Sequence, residues 1–362
     1  MRYCGWIVGA WLVCGLSPAW GADALNLKNG DRLILLGSTL IEREQSYGYW
    51  EEALTRAVPS ASFTLRNLGW SGDNVWAESR AGFGTPEDGF KELREQVLAL
   101  KPTVILVNYG ANESYAGAAG LEKFKAGLNR MLDMLAESKA RLVLASPTRE
   151  EFQGGKLPNP AAHNKDLELY SQTIKAIADQ RKIPFVDLFS RIIPASTAPV
   201  PADTRLTENG LHLTAVGYRK TADEFVTALG LKPADGQAPA EFREGIVRKN
   251  ELYFYRWRPQ NVTYLFGFRK HEQGNNAKEV AEFDPLIAKE EEKIQKLKLE
   301  KVKEVAVPKA QAPSQPETAK SESPKSEAVK PEAGQSGTGQ SGSFGSGTQP
   351  IKKRRAVRQL TR

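Results

Sequence analysis

Four short stretches carry the residues that could do chemistry. Gly37-Ser38-Thr39-Leu40 offers a hydroxyl on a tight turn, and Asn67-Leu68-Gly69-Trp70-Ser71-Gly72-Asp73 offers a glycine turn with free backbone N–H groups. Gly110-Ala111-Asn112-Glu113 offers a side-chain amide next to an acid, and Glu208-Asn209-Gly210-Leu211-His212-Leu213 offers a histidine with an amide three residues before it. A hydroxyl, a general base and several N–H donors are what acyl transfer requires: a nucleophile, a proton acceptor and an oxyanion pocket. Each piece alone is common. A Gly-Ser-Thr turn, a turn glycine and a helix-capping asparagine all have structural uses, and a loop histidine is more often structural than catalytic. The order of the four, and what precedes each, gives them weight together.

What precedes them is a run of strand patterns. Arg32–Leu36, Phe63–Asn67, Val104–Asn108, Arg141–Ala145 and Phe185–Asp187 are short apolar segments that stop at Gly, Asn, Ser or Pro. Helical periodicity lies between them. It is clearest over Leu121–Ser138, where Leu121, Phe124, Leu128, Met131, Leu132 and Leu135 share one face, and it continues over Lys165–Gln180 and Thr214–Leu229. Short apolar strands alternating with helices predict an α/β fold with a parallel sheet covered on both faces. In such sheets ligands bind at the carboxyl ends of the strands, where the first three stretches lie. The fourth directly precedes the last helix.

In order and spacing these blocks resemble the SGNH hydrolases, or GDSL-like lipases and esterases, over roughly residues 30–230. The resemblance implies a three-layer, doubly wound, flavodoxin-like sheet. It places Thr39 at the serine nucleophile of the Gly-Asp-Ser-Leu block, Gly72 and Asn112 at the oxyanion positions, and Asn209 and His212 at the ends of the Asp-x-x-His block. It also implies ester hydrolysis of lipid, thioester or carbohydrate substrates without metal or organic cofactor. Two positions depart from the pattern. Thr39 keeps a hydroxyl but adds a methyl that restricts its torsion and crowds the line of attack. Asn209 can hold a histidine but brings no charge, and in a serine triad such a swap costs about 10⁴ in turnover. Glu208 and Ser38 are one residue out of register, and a one-residue shift points a side chain elsewhere.

Beyond residue 231 the character changes. Residues 232–285 form an aromatic and basic extension, with Tyr253-Phe254-Tyr255-Arg256-Trp257-Arg258 and Phe266-Gly267-Phe268. Packing against the 26–231 domain is the expectation, with a share in the active-site wall as the functional alternative. His271, between cations and Glu272, is a candidate substrate-facing residue, as is Glu113. Residues 286–304 predict a charged helix.

Residues 305–362 are rich in Pro, Lys and Glu, then in Gly and Ser, and read as a disordered tail. From residue 301 onward there are twelve Lys/Arg and five Glu, which accounts for the whole net charge of +7. The folded part therefore has no bulk electrostatic reason to seek nucleic acid. The basic end of the tail fits an acidic polymer as partner.

The chain opens with Arg2, an apolar run and small residues at Ala19 and Gly21, the pattern of a signal peptide over residues 1–21. Secreted or periplasmic placement follows as an expectation, with no membrane span in the mature chain. Both cysteines, Cys4 and Cys14, fall in that leader, which leaves no thiolate metal site and no cysteine nucleophile. The sequence thus points to a secreted ester hydrolase, with carbohydrate O-acetyl esters as favoured substrate. A binding module that has kept the cleft and lost hydrolysis is the alternative.

Overall fold

A computed structural model describes residues 25–306 of the chain, and these fall within one compact unit. The leader and the basic tail, with the expectations attached to them, lie outside the described residues. Five parallel strands form the centre: β1 (Asp31–Gly37), β2 (Phe63–Asn67), β3 (Val104–Asn108), β4 (Arg141–Ala145) and β5 (Phe185–Val186). Their order across the sheet is β2-β1-β3-β4-β5. This is the flavodoxin-like doubly wound arrangement, whose crossover direction reverses between β1 and β3. Leu35 pairs with Leu106, and Gly37 pairs with Asn108, so both strands end at the same level on that edge.

Side-chain alternation explains the two cores. On one face Leu33, Leu35, Leu106, Val143 and Val186 meet Ile41 of α1 (Thr39–Tyr47), Trp50 and Leu54 of α2 (Tyr49–Ala57), and Tyr218 and Phe225. On the other, Ile34, Leu36, Ile105, Val107 and Leu144 meet Leu93 of α3 (Pro86–Ala99), Leu128 and Leu132 of α4 (Leu121–Ala136), and Ile174 of α5 (Ala161–Arg181). A period of two along each strand thus feeds both layers, as expected for a sheet buried on both sides.

The final helix expected over Thr214–Leu229 is two, α6 (Ala215–Lys220) and α7 (Ala222–Ala228). They meet at Thr221, whose Oγ1 accepts a 3.0 Å hydrogen bond from the buried indole Nε1 of Trp50. The aromatic extension is helical. α8 (Ala240–Trp257) is followed by the single-turn α9 (Val262–Leu265) and α10 (Lys270–Gln273), then by α11 (Phe283–Ala306), which packs along α8. Toward α2, Lys249 Nζ of α8 meets Glu51, and Asn250 Nδ2 donates to the other Glu51 oxygen at 2.9 Å. Tyr253 and Ile287 complete the second core, while Phe266 and Phe268 stay exposed. None of the helices among the described residues is long and apolar enough to cross a membrane.

Candidate active site

Thr39 opens α1 immediately after β1, with Ser38 as the N-cap in extended conformation. The turn after β2 comes back over it. Gly72 adopts φ +75°, a conformation that L side chains rarely take, and its N–H donates to Thr39 Oγ1 at 3.2 Å. Gly69 lies so close to Glu42 that a Cβ would sit 2.2 Å from its backbone nitrogen, so only glycine lets the turn press onto α1. After β3, Asn112 spends both amide hydrogens, one on Ser38 Oγ at 2.9 Å and one on the Asp73 carbonyl at 2.6 Å. Thr39 and Asn112 therefore stand at the ends of β1 and β3, at the topological switch point.

Behind the turn lies a buried brace. Asp73 Oδ2 accepts from Arg80 Nε and from Tyr109 OH, each at 2.8 Å. Glu113 does not face substrate, as was expected of it. It is buried, and its two oxygens accept from the backbone N–H groups of Val75 (2.8 Å) and Gly110 (2.9 Å). It thus ties the turn after β2 to the β3 loop. Burial pushes its carboxyl up to about 7, against the pull of those N–H donors.

His212 hangs from a tight loop before α6. Asn209 Oδ1 accepts from the backbone N–H of Leu211 (3.1 Å) and of His212 (2.9 Å). Backbone N–H groups only donate, so this atom must be the oxygen. The Asn209 amide nitrogen is then the group 3.2 Å from His212 Nδ1. A donor there makes Nδ1 an acceptor and puts the proton of the neutral ring on Nε2. Glu208 Oε1 lies 3.7 Å from the same Nδ1, beyond hydrogen-bond length, and Glu208 Oε2 pairs with Arg43 at 3.1 Å. So Glu208 brings charge to the histidine without holding its proton. Partial burial and then Arg43 hold the His212 pKa below its usual value, with Glu208 opposing them.

Thr39, Asn112 and His212 line one pocket of about 100 Å³ with Ser38. Among the described residues no hydrogen bond joins Thr39 to His212. A wall that the sequence did not reveal closes the other side. His163 Nε2 lies 2.9 Å from Ser114 Oγ, and His163 Nδ1 lies 2.6 Å from Glu150 Oε1. Tyr115, 63% exposed, stacks on the His163 ring at 3.9 Å between centroids. These partners come from three separate loops and helices, with no motif to connect them. His271 does not line this pocket either; it is exposed on α10, which packs against α9. No residue of the extension lines the pocket.

The sequence matches the GDSL-like Lipase/Acylhydrolase family over residues 30–220, more than half of the chain. The chain belongs to that family, and by class it is a carboxylic-ester hydrolase of the SGNH type. Among solved structures it is similar to an acetylxylan esterase from Geobacillus stearothermophilus, at 17% identity and TM-score 0.44, covering 58% of this chain and 99% of that one. It is also similar to a putative acylhydrolase from Bacteroides fragilis, at 21% identity and TM-score 0.39, covering 57% of this chain and 91% of that one. No curated protein matches the sequence.

Proposed function

We propose that the chain removes small acyl groups from carbohydrate esters, O-acetyl groups above all, through an acyl-enzyme on Thr39. The observation that carries this reading is the pocket that Thr39 shares with Asn112 and His212 at the switch point, with the Gly72 N–H already on Thr39 Oγ1. For reaction the His212 ring takes the tautomer with its proton on Nδ1, toward Glu208 Oε1 at 3.7 Å; Thr39 Oγ1 then attacks the carbonyl carbon and the freed Nε2 takes its proton. The Gly72 N–H and the Asn112 amide hold the oxyanion, for which Asn112 gives up its bond to Ser38. The alcohol leaves with the proton from His212, and water then repeats the sequence on the acyl-threonine. A small pocket of about 100 Å³ suits a short acyl group. The carbohydrate preference rests on the expected export and on the polar, aromatic wall of Tyr115 and Glu150 beside the pocket.

The test is p-nitrophenyl acetate hydrolysis by the purified protein. Thr39→Ala and His212→Ala should each abolish turnover above background, and p-nitrophenyl octanoate should be a poor substrate. Rates unchanged by either substitution would sink the proposal.

One observation favours a second reading, a binding module without turnover. With Asn209 Nδ2 toward Nδ1, the resting His212 carries its proton on Nε2, the nitrogen that should accept one. Tight binding of an acetylated sugar with no product release would decide for that reading.

A further inference from the structure

The Trp70–Asp73 turn has two sides. Gly72 faces Thr39, whereas Trp70 forms part of a separate cleft of about 640 Å³ between that turn, the 80–83 loop and the start of the extension's second half. We infer that this cleft is a glycan subsite, which holds unesterified sugar units of the same chain whose ester lies at Thr39. The inference rests on the carbohydrate reading above.

The walls have the chemistry of a pyranose chain, which presents flat C–H faces and a hydroxyl rim. Phe83 is 98% exposed at the edge, where its ring face is open to a ligand. Trp70 and Trp257 meet edge to face at 5.7 Å between centroids. Trp257 lines this wall, and its indole N–H is buried without an acceptor among the described residues. Planar polar groups alternate with the rings. Gln96 bridges Arg80 (2.9 Å) and Glu92 (2.8 Å), and Gln260 stands beside them.

The charges are already balanced within the protein. Arg80 pairs with Asp73 at 2.8 Å, and Arg258 pairs with Glu42 at 3.2 Å while lying 3.6 Å from the centre of the Trp70 ring. A neutral, hydroxyl-rich ligand fits such a surface better than an anion.

Continuity with the active site is covalent and hydrogen-bonded. Trp70 and Gly72 are two residues apart, and Glu42 accepts from both Ser71 N–H and Arg258. The same turn thus borders both Thr39 and the cleft.

The test is direct binding, by calorimetry, of unsubstituted xylo-, manno- and cello-hexaose to the full-length protein. At least one should bind with Kd of about 1 mM or tighter. Phe83→Ala should weaken that binding at least tenfold with unaltered thermal unfolding, and Gln260→Ala should weaken it in the same direction. Binding should survive in His212→Ala, which separates the subsite from hydrolysis. Hydrolysis of p-nitrophenyl acetate without hexaose binding overturns the subsite and leaves the esterase standing; hexaose binding without hydrolysis does the reverse. Equal hexaose affinity in wild type and both cleft variants also overturns it. So does a tryptophan fluorescence response to laurate with none to any hexaose, which gives the cleft to acyl chains.

Discussion

At the scale of single residues, one amide decides how well this site can work. A neutral histidine can be a base only through an unprotonated nitrogen. Asn209 offers His212 Nδ1 a hydrogen where an aspartate would accept one. Asn209→Asp reverses this and should move the ring proton to Nδ1. Because the opposite swap costs a serine triad about 10⁴, we expect a gain in kcat of roughly 10²-fold or more with p-nitrophenyl acetate and little change in KM. An unchanged kcat would mean that the ring tautomer does not limit the reaction. Acid pH gives a second handle. The lowered pKa of His212 keeps it neutral, and thus basic, further into acid than an ordinary histidine, so the acid limb of the kcat/KM profile should lie below the usual histidine range. Arg43 contributes to that lowering and Glu208 opposes it. Arg43→Gln should therefore move the limb to higher pH and Glu208→Gln to lower pH. Opposite or absent movements in the paired profiles would show that another group sets the limb.

This scale also shows what a sequence can and cannot reveal of a site. Thr39, Gly72, Asn112, Asn209 and His212 stand at strand ends or in a turn motif, so their neighbourhood follows from topology. His163, Glu150, Ser114 and Tyr115 converge only through the way α5 leans on the β3 and β4 loops. Glu113 looked like an active-site acid because it follows Asn112. Its direction depends on where Val75 N–H points, which a local pattern does not encode.

At the scale of elements, the strands were legible because each is a short apolar run, and β5 shrank to two residues because only those pair with β4. Helix α8 was not legible. Its buried face is Phe242, Ile246, Lys249, Asn250 and Tyr253, a helical spacing with a cation and an amide in the middle, which breaks the apolar stripe. Those two polar residues are buried because Glu51 of α2 faces them. Removing one partner of a buried pair strands the other, at about 3–5 kcal/mol. Lys249→Met should thus lower the urea midpoint substantially, and Lys249→Met with Glu51→Leu should recover part of the loss. A single variant as stable as wild type would show that the pair is not a structural tie.

The junction of α1 and α2 carries a pH effect of its own. Glu44 accepts from the N–H groups of Trp50 (3.0 Å) and Glu51 (3.1 Å) at the start of α2. Burial, then the neighbouring Glu51, pushes its carboxyl up to about 7 from 4.5. A group raised in the fold gives stability that is full below its unfolded pKa and lost as pH rises through the folded value. Stability should therefore fall between about pH 4.5 and 7, by roughly 3 kcal/mol at most from this group. Glu44→Gln should flatten that slope in urea unfolding series at pH 5 and pH 7.5, and an unaltered slope would assign the effect elsewhere.

At the scale of the whole molecule, the family region and the folding unit do not coincide. The match to the family ends at residue 220, yet the extension packs into the sheet domain. Tyr253 and Ile287 belong to the second core, Arg66 on β2 pairs with Glu291 at 2.5 Å, and Lys298 Nζ donates to the Ala61 carbonyl at 2.6 Å. Without residues after 231, Glu51 and Arg66 lose their charge partners, and the outer side of β2, an edge strand, opens to solvent. Arg258 also leaves Glu42, the acceptor of Ser71 N–H in the turn that carries Gly72. A chain of residues 25–231 should then be insoluble or unfold with low cooperativity, whereas residues 25–306 should unfold in one transition and keep the p-nitrophenyl acetate activity of the full chain. Size-exclusion profiles, thermal unfolding and kcat/KM on the two fragments check this. A stable, active 25–231 fragment would mean that the extension is an appendage, and that the esterase fold needs nothing beyond its family boundary.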